Sequence, residues 1–273
     1  MKCDIGKTSI YYETYGEGKS ILNVHGFVPD HRLMKGCMEP IFEKRAGYKR
    51  IYYDLPGMGK TKGEKWIKNS DQMLEITLKF IEEIIPDEKF LLVGESYGGY
   101  LARGVIYKKF DLVEGVCFIC PVIDANSIKR DLPKQIILSK NPDLVLKLDP
   151  NDAEEFVNIA VIQNQKVWER FRDEFLSGVK VADTEFLDKI WKKGYSFSFD
   201  VDKLPEKYEK PALFLMGRQD NVVGYRDAWK IIENYPRATL AILDNAGHIL
   251  QIEQEILFNS LINEWLDRIE NFS

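Results

Sequence analysis

The chain is poor in histidine and cysteine, with three and four in 273 residues. So few histidines let each be weighed singly as a base. Four cysteines do not make the disulfide-dense framework of a small secreted domain. Two of them form C-x-x-C, but inside the apolar run Gly115-Val116-Cys117-Phe118-Ile119-Cys120. An odd separation along a strand sends the two thiols to opposite faces, so core thiols are expected rather than a metal or redox pair. Cys3 and Cys37 have no obvious partners. No run of 18 apolar residues occurs, which excludes an ordinary transmembrane helix. Met1-Lys2-Cys3-Asp4-Ile5-Gly6 lacks the apolar centre of a signal peptide. A soluble, cytoplasmic protein is the expectation. There is no excess of basic charge: the net charge is −5, which argues against nucleic acid as the main partner. No internal repeat or low-complexity stretch is visible.

One stretch stands out, Gly94-Glu95-Ser96-Tyr97-Gly98-Gly99. The apolar run Lys89-Phe90-Leu91-Leu92-Val93 before it reads as a buried strand. Tyr100 to Tyr107 after it reads as a helix. A serine between glycines at a strand-to-helix turn is the G-x-S-x-G nucleophile elbow. Gly94 and Gly98 must be small for strand and helix to approach, and the turn lifts the Ser96 hydroxyl to a helix N-terminus. There the unpaired N–H groups favour developing negative charge. The five-residue pattern also arises by chance in glycine-rich loops, so its partners must be found elsewhere.

Along the chain, strands are expected at 2–5, 8–15, 20–24, 49–54, 89–93, 113–120, 212–216 and 239–243. Helices are expected over much of 33–45 and at about 71–85, 100–107, 223–235 and 249–270. Asn69 and Gln72 have capping-box spacing before the third-and-fourth repeat of Met73, Ile76, Thr77, Phe80, Ile81 and Ile84. Gly59-Lys60-Thr61 resembles the end of a P-loop, but the position needing its first glycine is Asp54. A nucleoside triphosphate site is therefore not expected. Residues 122–205 interrupt the alternation with a charged, mostly helical pattern rich in Phe, Trp and Tyr. Alternating strands and helices imply an α/β fold: a mostly parallel central sheet with helices on both faces. Sites in such sheets gather at the carboxyl ends of the strands. His25, Ser96, Asp220 and His248 all fall just after a strand.

A serine hydroxyl needs a base, usually a histidine oriented by a carboxylate. His248, in Gly247-His248 after the last strand, is the candidate base. His25 precedes a glycine at a strand end, and His31 falls in a polar loop. Asp220 is the candidate acid and Asp124 its rival; Asp244 is nearer His248 in sequence but suits a turn. The oxyanion hole needs two backbone donors. Tyr97 at the elbow supplies one, and Phe27, after Gly26, is the candidate for the other. Gly26 is expected to give the backbone the unusual geometry that aims it.

The order Ser, Asp, His, with His25-Gly26-Phe27 upstream and an inserted helical segment, resembles the α/β-hydrolase superfamily over essentially the whole chain. Asp54-Leu55-Pro56-Gly57-Met58-Gly59, Gly217 to Asp220 and Asn245-Ala246-Gly247-His248 belong to the same likeness. The resemblance implies an α/β-hydrolase core at 1–121 and 206–273, with 122–205 as a helical cap or lid. A serine at the elbow argues against the dehalogenase and epoxide-hydrolase branches, which use aspartate there. His25-Gly26-Phe27-Val28 also departs from the H-G-G-P and H-G-G-G patterns of proline iminopeptidases and some esterases.

The resulting expectation is a serine hydrolase of small or medium-chain carboxylic esters. It acts through an acyl-enzyme and needs no cofactor and no metal. Some cap aromatics should line an apolar acyl pocket. An amide, N-terminal peptide or carbon–carbon bond is the alternative. An aminopeptidase would need cap carboxylates to grip an amine, and Glu154, Glu155, Glu169 and Glu174 are available. A non-catalytic ligand receptor on the same fold is the remaining alternative.

Overall fold

The computed structural model describes residues 1–271. Eight strands form one sheet in the order β1-β2-β4-β3-β5-β6-β7-β8. They are β1 (Lys2–Ile5), β2 (Thr8–Tyr15), β3 (Lys19–Val24), β4 (Tyr48–Tyr53), β5 (Phe90–Glu95), β6 (Val113–Ile119), β7 (Ala212–Gly217) and β8 (Ala238–Leu243). β1 and β2 pair antiparallel, as do β2 and β4; every pairing from β4 to β8 is parallel. The parallel strands are covered on both faces, which is why Phe90-Leu91-Leu92-Val93 is a continuous apolar run rather than an alternating one.

Of the first three helices, α1 (His31–Phe42) packs on β3 and β4, α3 (Tyr97–Lys108) on β3, β5 and β6, and α2 (Ser70–Ile84) on β1 and α3. Asn69 caps α2 by accepting from the Gln72 amide at 3.0 Å. The Gln72 side chain does not return the bond to Asn69; it accepts from the Lys68 amide at 2.7 Å. The apolar stripe of α2, with Met73, Thr77, Phe80 and Ile81, is buried. All four cysteines are free and buried. Cys117 is inside β6, and Cys120 lies just past it.

Between β6 and β7 the chain forms a series of short helices: α4 (Pro142–Val145), α5 (Pro150–Ile159), α6 (Gln165–Arg170), a π turn at Phe171–Leu176, α7 (Ser177–Val179) and α8 (Thr184–Lys193). Phe186, Leu187 and Ile190 of α8 join the main core, whereas α4 to α7 share a small core with neighbouring elements. In it Phe156, Trp168, Phe171 and Phe175 pack with Leu33 of α1 and Ile252. The fully buried Arg103 of α3 secures both ends of this segment. It donates to the Val122 and Ile123 carbonyls at 2.9 Å each and pairs with Asp202.

Two expected helices differ. The stretch at 223–235 is two 3₁₀ turns, Arg226–Lys230 and Ile232–Asn234. Asp220 accepts from the Val222 and Val223 amides in the turn that precedes Arg226. Gly224 then has φ 72°, and the residue before Pro236 is biased away from helix. The final helix is broken at Gln254 into α9 (Leu250–Glu253) and α10 (Glu255–Glu270). The Glu253 and Gln254 side chains turn back to the 245–247 loop instead of following the helix. His31 is also not in a polar loop. It opens α1, buried, with Nδ1 2.7 Å from Asp54 and Nε2 3.3 Å from Glu13.

Candidate active site

β5 ends at Glu95, and α3 begins at Tyr97. Ser96 between them has φ 51° and ψ −114°, a conformation that costs a non-glycine residue about 1–3 kcal/mol. The surroundings hold it there. The Ser96 amide donates to the Ile119 carbonyl at 2.9 Å, and the Ser96 carbonyl accepts from Val122 at 2.9 Å and Tyr100 at 3.2 Å. A β-carbon on Gly98 would run into the carbonyl oxygen of Val24 and lie 2.6 Å from that of His25. Strand and helix can meet this closely only because residue 98 is glycine.

The loops after β7 and β8 are joined through Gln219. Its amide donates to the Ala246 carbonyl at 2.9 Å, and its side-chain oxygen accepts from the Ala246 amide at 3.1 Å. This brings Asp220 beside His248. Asp220 Oδ2 is 2.9 Å from His248 Nδ1, and His248 Nε2 is 2.9 Å from Ser96 Oγ. Asp220 Oδ1 accepts from the amides of Val222 at 2.8 Å and Val223 at 3.0 Å. The carboxylate is therefore fixed on both oxygens. Asp124, the rival acid, accepts from the nearby Asn126 amide, and Asp244 accepts from Gln219. Neither is brought to His248.

Burial opposes charge on both members of the pair, but their mutual attraction outweighs it. The imidazole and the two backbone amides hold Asp220 below its ordinary range. Burial favours neutral His248, yet the Asp220 and Glu95 carboxylates raise its pKa above the usual value.

Phe27 and Gly26 sit on the wall of the cavity that holds Ser96 and His248. Tyr97 opens α3, so its N–H belongs to the unsatisfied first turn of the helix. Gly26 does not have positive φ; Val28 does, at 87°. Gly26 is needed for close approach instead, since a β-carbon there would strike the Glu95 carboxyl and lie 3.2 Å from Ser96 Cβ. His25 braces this loop. Its Nε2 accepts from the Leu55 amide at 3.0 Å, so Nδ1 carries the proton and donates to the Gly26 carbonyl at 2.7 Å. Complete burial keeps its pKa low and the ring neutral.

The cavity has a volume of about 420 Å³. Residues between β6 and β7 supply much of its wall, including Ile159, Phe175, Val179, Leu187, Trp191 and Tyr195. The Phe27 ring packs against Tyr97, Tyr195 and Trp191 at centroid distances of 5.2, 5.3 and 6.2 Å. Of the four glutamates considered for gripping an amine, Glu155 lines this cavity. Glu174 is paired with Arg170, and Glu169 accepts from Gln165.

Two carboxyl groups were not visible as site residues in the sequence. Glu95 is buried against His248, with Oε1 3.6 Å from Nε2. Glu253 accepts from the amides of Gly247 and Val161, both at 2.6 Å, and of Ile162 at 3.2 Å. It thus ties the loop carrying His248 to the segment between β6 and β7. Both positions carry no pattern of their own: one is a variable site of G-x-S-x-G, the other an acid on an amphipathic stretch.

The chain belongs to the α/β-hydrolase superfamily, and residues 18–255 match the family model described as serine aminopeptidase, S33. By fold and family it is a hydrolase. Among solved structures, an α/β superfamily hydrolase from Oenococcus oeni PSU-1 is 31% identical. It superposes with a TM-score of 0.87 over 96% of each chain. Human monoacylglycerol lipase ABHD6 is 25% identical over 94% of this chain and 77% of its own length. A pimeloyl-[acyl-carrier protein] methyl ester esterase from Legionella pneumophila (strain Corby) is 23% identical over 94% of this chain and 99% of its own. No helix among the described residues is long and apolar enough to cross a membrane.

Proposed function

We propose that this protein is a serine esterase that cleaves small or medium-chain carboxylic esters through an acyl-enzyme. The observation that carries the reading is the continuous relay from Asp220 through His248 to Ser96, with both bonds at 2.9 Å, in the wall of a mainly apolar cavity. Ser96 Oγ attacks the ester carbonyl while His248 Nε2 takes its proton. Asp220 keeps the imidazole in the tautomer that presents a bare Nε2, and stabilises the imidazolium that forms. The N–H groups of Phe27 and Tyr97 receive the oxyanion; loss of one such donor typically costs about 10²–10³ in kcat. His248 then protonates the leaving alcohol, and water repeats the sequence on the acyl-enzyme. Residues 122–205 serve as the cap, with Phe175, Trp191 and Tyr195 facing the acyl chain. The lipase and esterase relatives support an ester as the bond cleaved.

An aminopeptidase reading has one observation in its favour besides the family description: Glu155, exposed at the cavity wall, is placed to meet an amine. A panel of p-nitrophenyl esters, aminoacyl p-nitroanilides and lactones, run on wild type and Ser96→Ala, separates the readings. Ester turnover that vanishes in Ser96→Ala is the expected result. Turnover confined to aminoacyl anilides, or ester turnover that survives in Ser96→Ala, would overturn it.

A further inference from the structure

Glu95 is an unusual residue to find where it is. It is 1% exposed and ends β5 immediately before Ser96. It forms part of the cavity wall. Its Oε1 is 3.6 Å from His248 Nε2, the nitrogen that receives the Ser96 proton. Its Oε2 has no hydrogen-bond partner among the described residues. That oxygen lies against the Gly26 backbone, whose amide favours the ionised carboxyl without making a well-formed bond. A carboxylate buried this way costs far more than a neutral acid unless a cation is beside it. Among the described residues, the cation that can form beside it is the His248 imidazolium.

The other groups around it do not supply that charge. Asp220 beyond β7 is anionic and opposes ionisation of Glu95. The thiols of Cys120 and Cys37 and the phenol of Tyr195 are pushed toward their neutral forms by burial. Arg130 acts on His248 and Tyr195. His248 is therefore flanked by a carboxyl on each ring nitrogen: Asp220 at Nδ1 and Glu95 at Nε2.

Resting on the proposed role of His248 as base, we infer that Glu95 is a positioning residue that shares one proton with the imidazole. In one form Glu95 is a carboxylic acid and His248 is neutral, and the base is available. In the other the proton sits on Nε2, Glu95 is a carboxylate, and Ser96 has no base. The exchange needs no other reactant: one O–H bond breaks as one N–H bond forms. Burial raises Glu95 to about 7, and its charge in turn raises His248. The charge of each group thus moves the titration of the other, and their protons leave in two linked steps that belong to the pair.

The test is the titration of His248 by NMR of ¹⁵N-histidine-labelled enzyme, wild type against Glu95→Gln. With three histidines in the chain, His248 is assigned by its loss in His248→Gln. In wild type the signal should move in two steps. In Glu95→Gln it should move in one, with its midpoint lower by about one unit, the low end of what a single charge at this range produces. The acid limb of kcat/KM for an ester should shift down with it. An unchanged or raised His248 midpoint in Glu95→Gln would overturn the inference. If that variant does not fold, infrared spectroscopy of Glu253→Gln decides, since this change removes the other carboxyl that burial raises to about 7. A protonated carboxyl band should then disappear over the same pH range as the His248 titration, and a band absent throughout would refute the shared proton. The NMR readout needs no substrate. A shifted His248 without ester turnover would leave the Glu95 inference standing and sink the esterase reading; turnover with an unshifted His248 would do the reverse.

Discussion

Replacing Asp220 by asparagine should remove most turnover while leaving the fold in place, and the structure says why. The Asp220 side chain is completely buried and used on both oxygens. Oδ1 accepts from two backbone amides at 2.8 and 3.0 Å, and Oδ2 accepts from His248 Nδ1 at 2.9 Å. An asparagine has one acceptor oxygen and one NH₂ group to place. Turning the NH₂ toward Val222 and Val223 sets donors against donors and loses both bonds, at about 1–3 kcal/mol for each unsatisfied group. The amide oxygen therefore stays with the backbone and the NH₂ faces His248. Nδ1 must then act as acceptor, so the ring proton moves to Nε2 and points at Ser96. That tautomer cannot take the serine proton. The loss in kcat should be about 10⁴, equivalent to about 5 kcal/mol of transition-state stabilisation. Stopped assays with an activated ester, together with a thermal melt, measure both quantities. A variant that keeps a tenth or more of wild-type kcat, with Asp124→Asn the crippling change instead, would refute the reasoning.

Four other outcomes follow from the same geometry. Gly98→Ala should destabilise the protein by about 3 kcal/mol or more, the upper end for overpacking, because its new methyl meets backbone carbonyls rather than yielding side chains. That corresponds to a Tm lower by about 6 °C or more for a chain of this size; an unchanged Tm would contradict the close-approach argument. Activity should rise with pH through a value above 6.5, because only neutral His248 can act as base and the Asp220 and Glu95 carboxylates raise its pKa; a profile flat from about pH 5 to 8 would speak against a histidine base when chemistry limits the rate. Glu253→Gln should loosen the tie between Gly247 and residues 161–162, since its NH₂ must face at least one backbone N–H. Faster hydrogen exchange at those amides with a lower kcat is expected, and unchanged exchange would count against it. The rate on p-nitrophenyl esters should rise from acetate as methylenes fill the cavity, at about 0.8 kcal/mol each, and fall well before palmitate; a peak at acetate would show that no acyl pocket is formed.

The strand order of chemistry along the chain was readable because a parallel sheet exports its functional groups to one edge. Ser96, Asp220 and His248 each follow an apolar run, and the structure brings all three into hydrogen-bond contact. What could not be read depends on neighbours distant in sequence. His31 looks solvated in a stretch of polar residues, yet Asp54, 23 positions on, and Glu13 draw it into the interior. Glu95 gives no periodic signal, because its burial comes from the packing of the Gly26 loop and His248 over it. The stretch at 226–234 has helical composition, but Gly224 before it has φ 72° and Pro236 closes it, so only short 3₁₀ turns form. Gly26 carries the opposite lesson: the need for glycine was legible, while its cause is contact with Glu95 and Ser96 rather than a left-handed backbone.

The most direct test of Ser96 as the nucleophile is its covalent capture. Folded enzyme is treated with a fluorophosphonate probe, weighed intact and mapped by peptide mass spectrometry, beside Ser96→Ala and His248→Gln. One adduct per chain on Ser96 is expected, absent from Ser96→Ala and formed far more slowly in His248→Gln. An adduct on any other serine, or no adduct on protein shown to be folded, would contradict a serine hydrolase built on Ser96, His248 and Asp220.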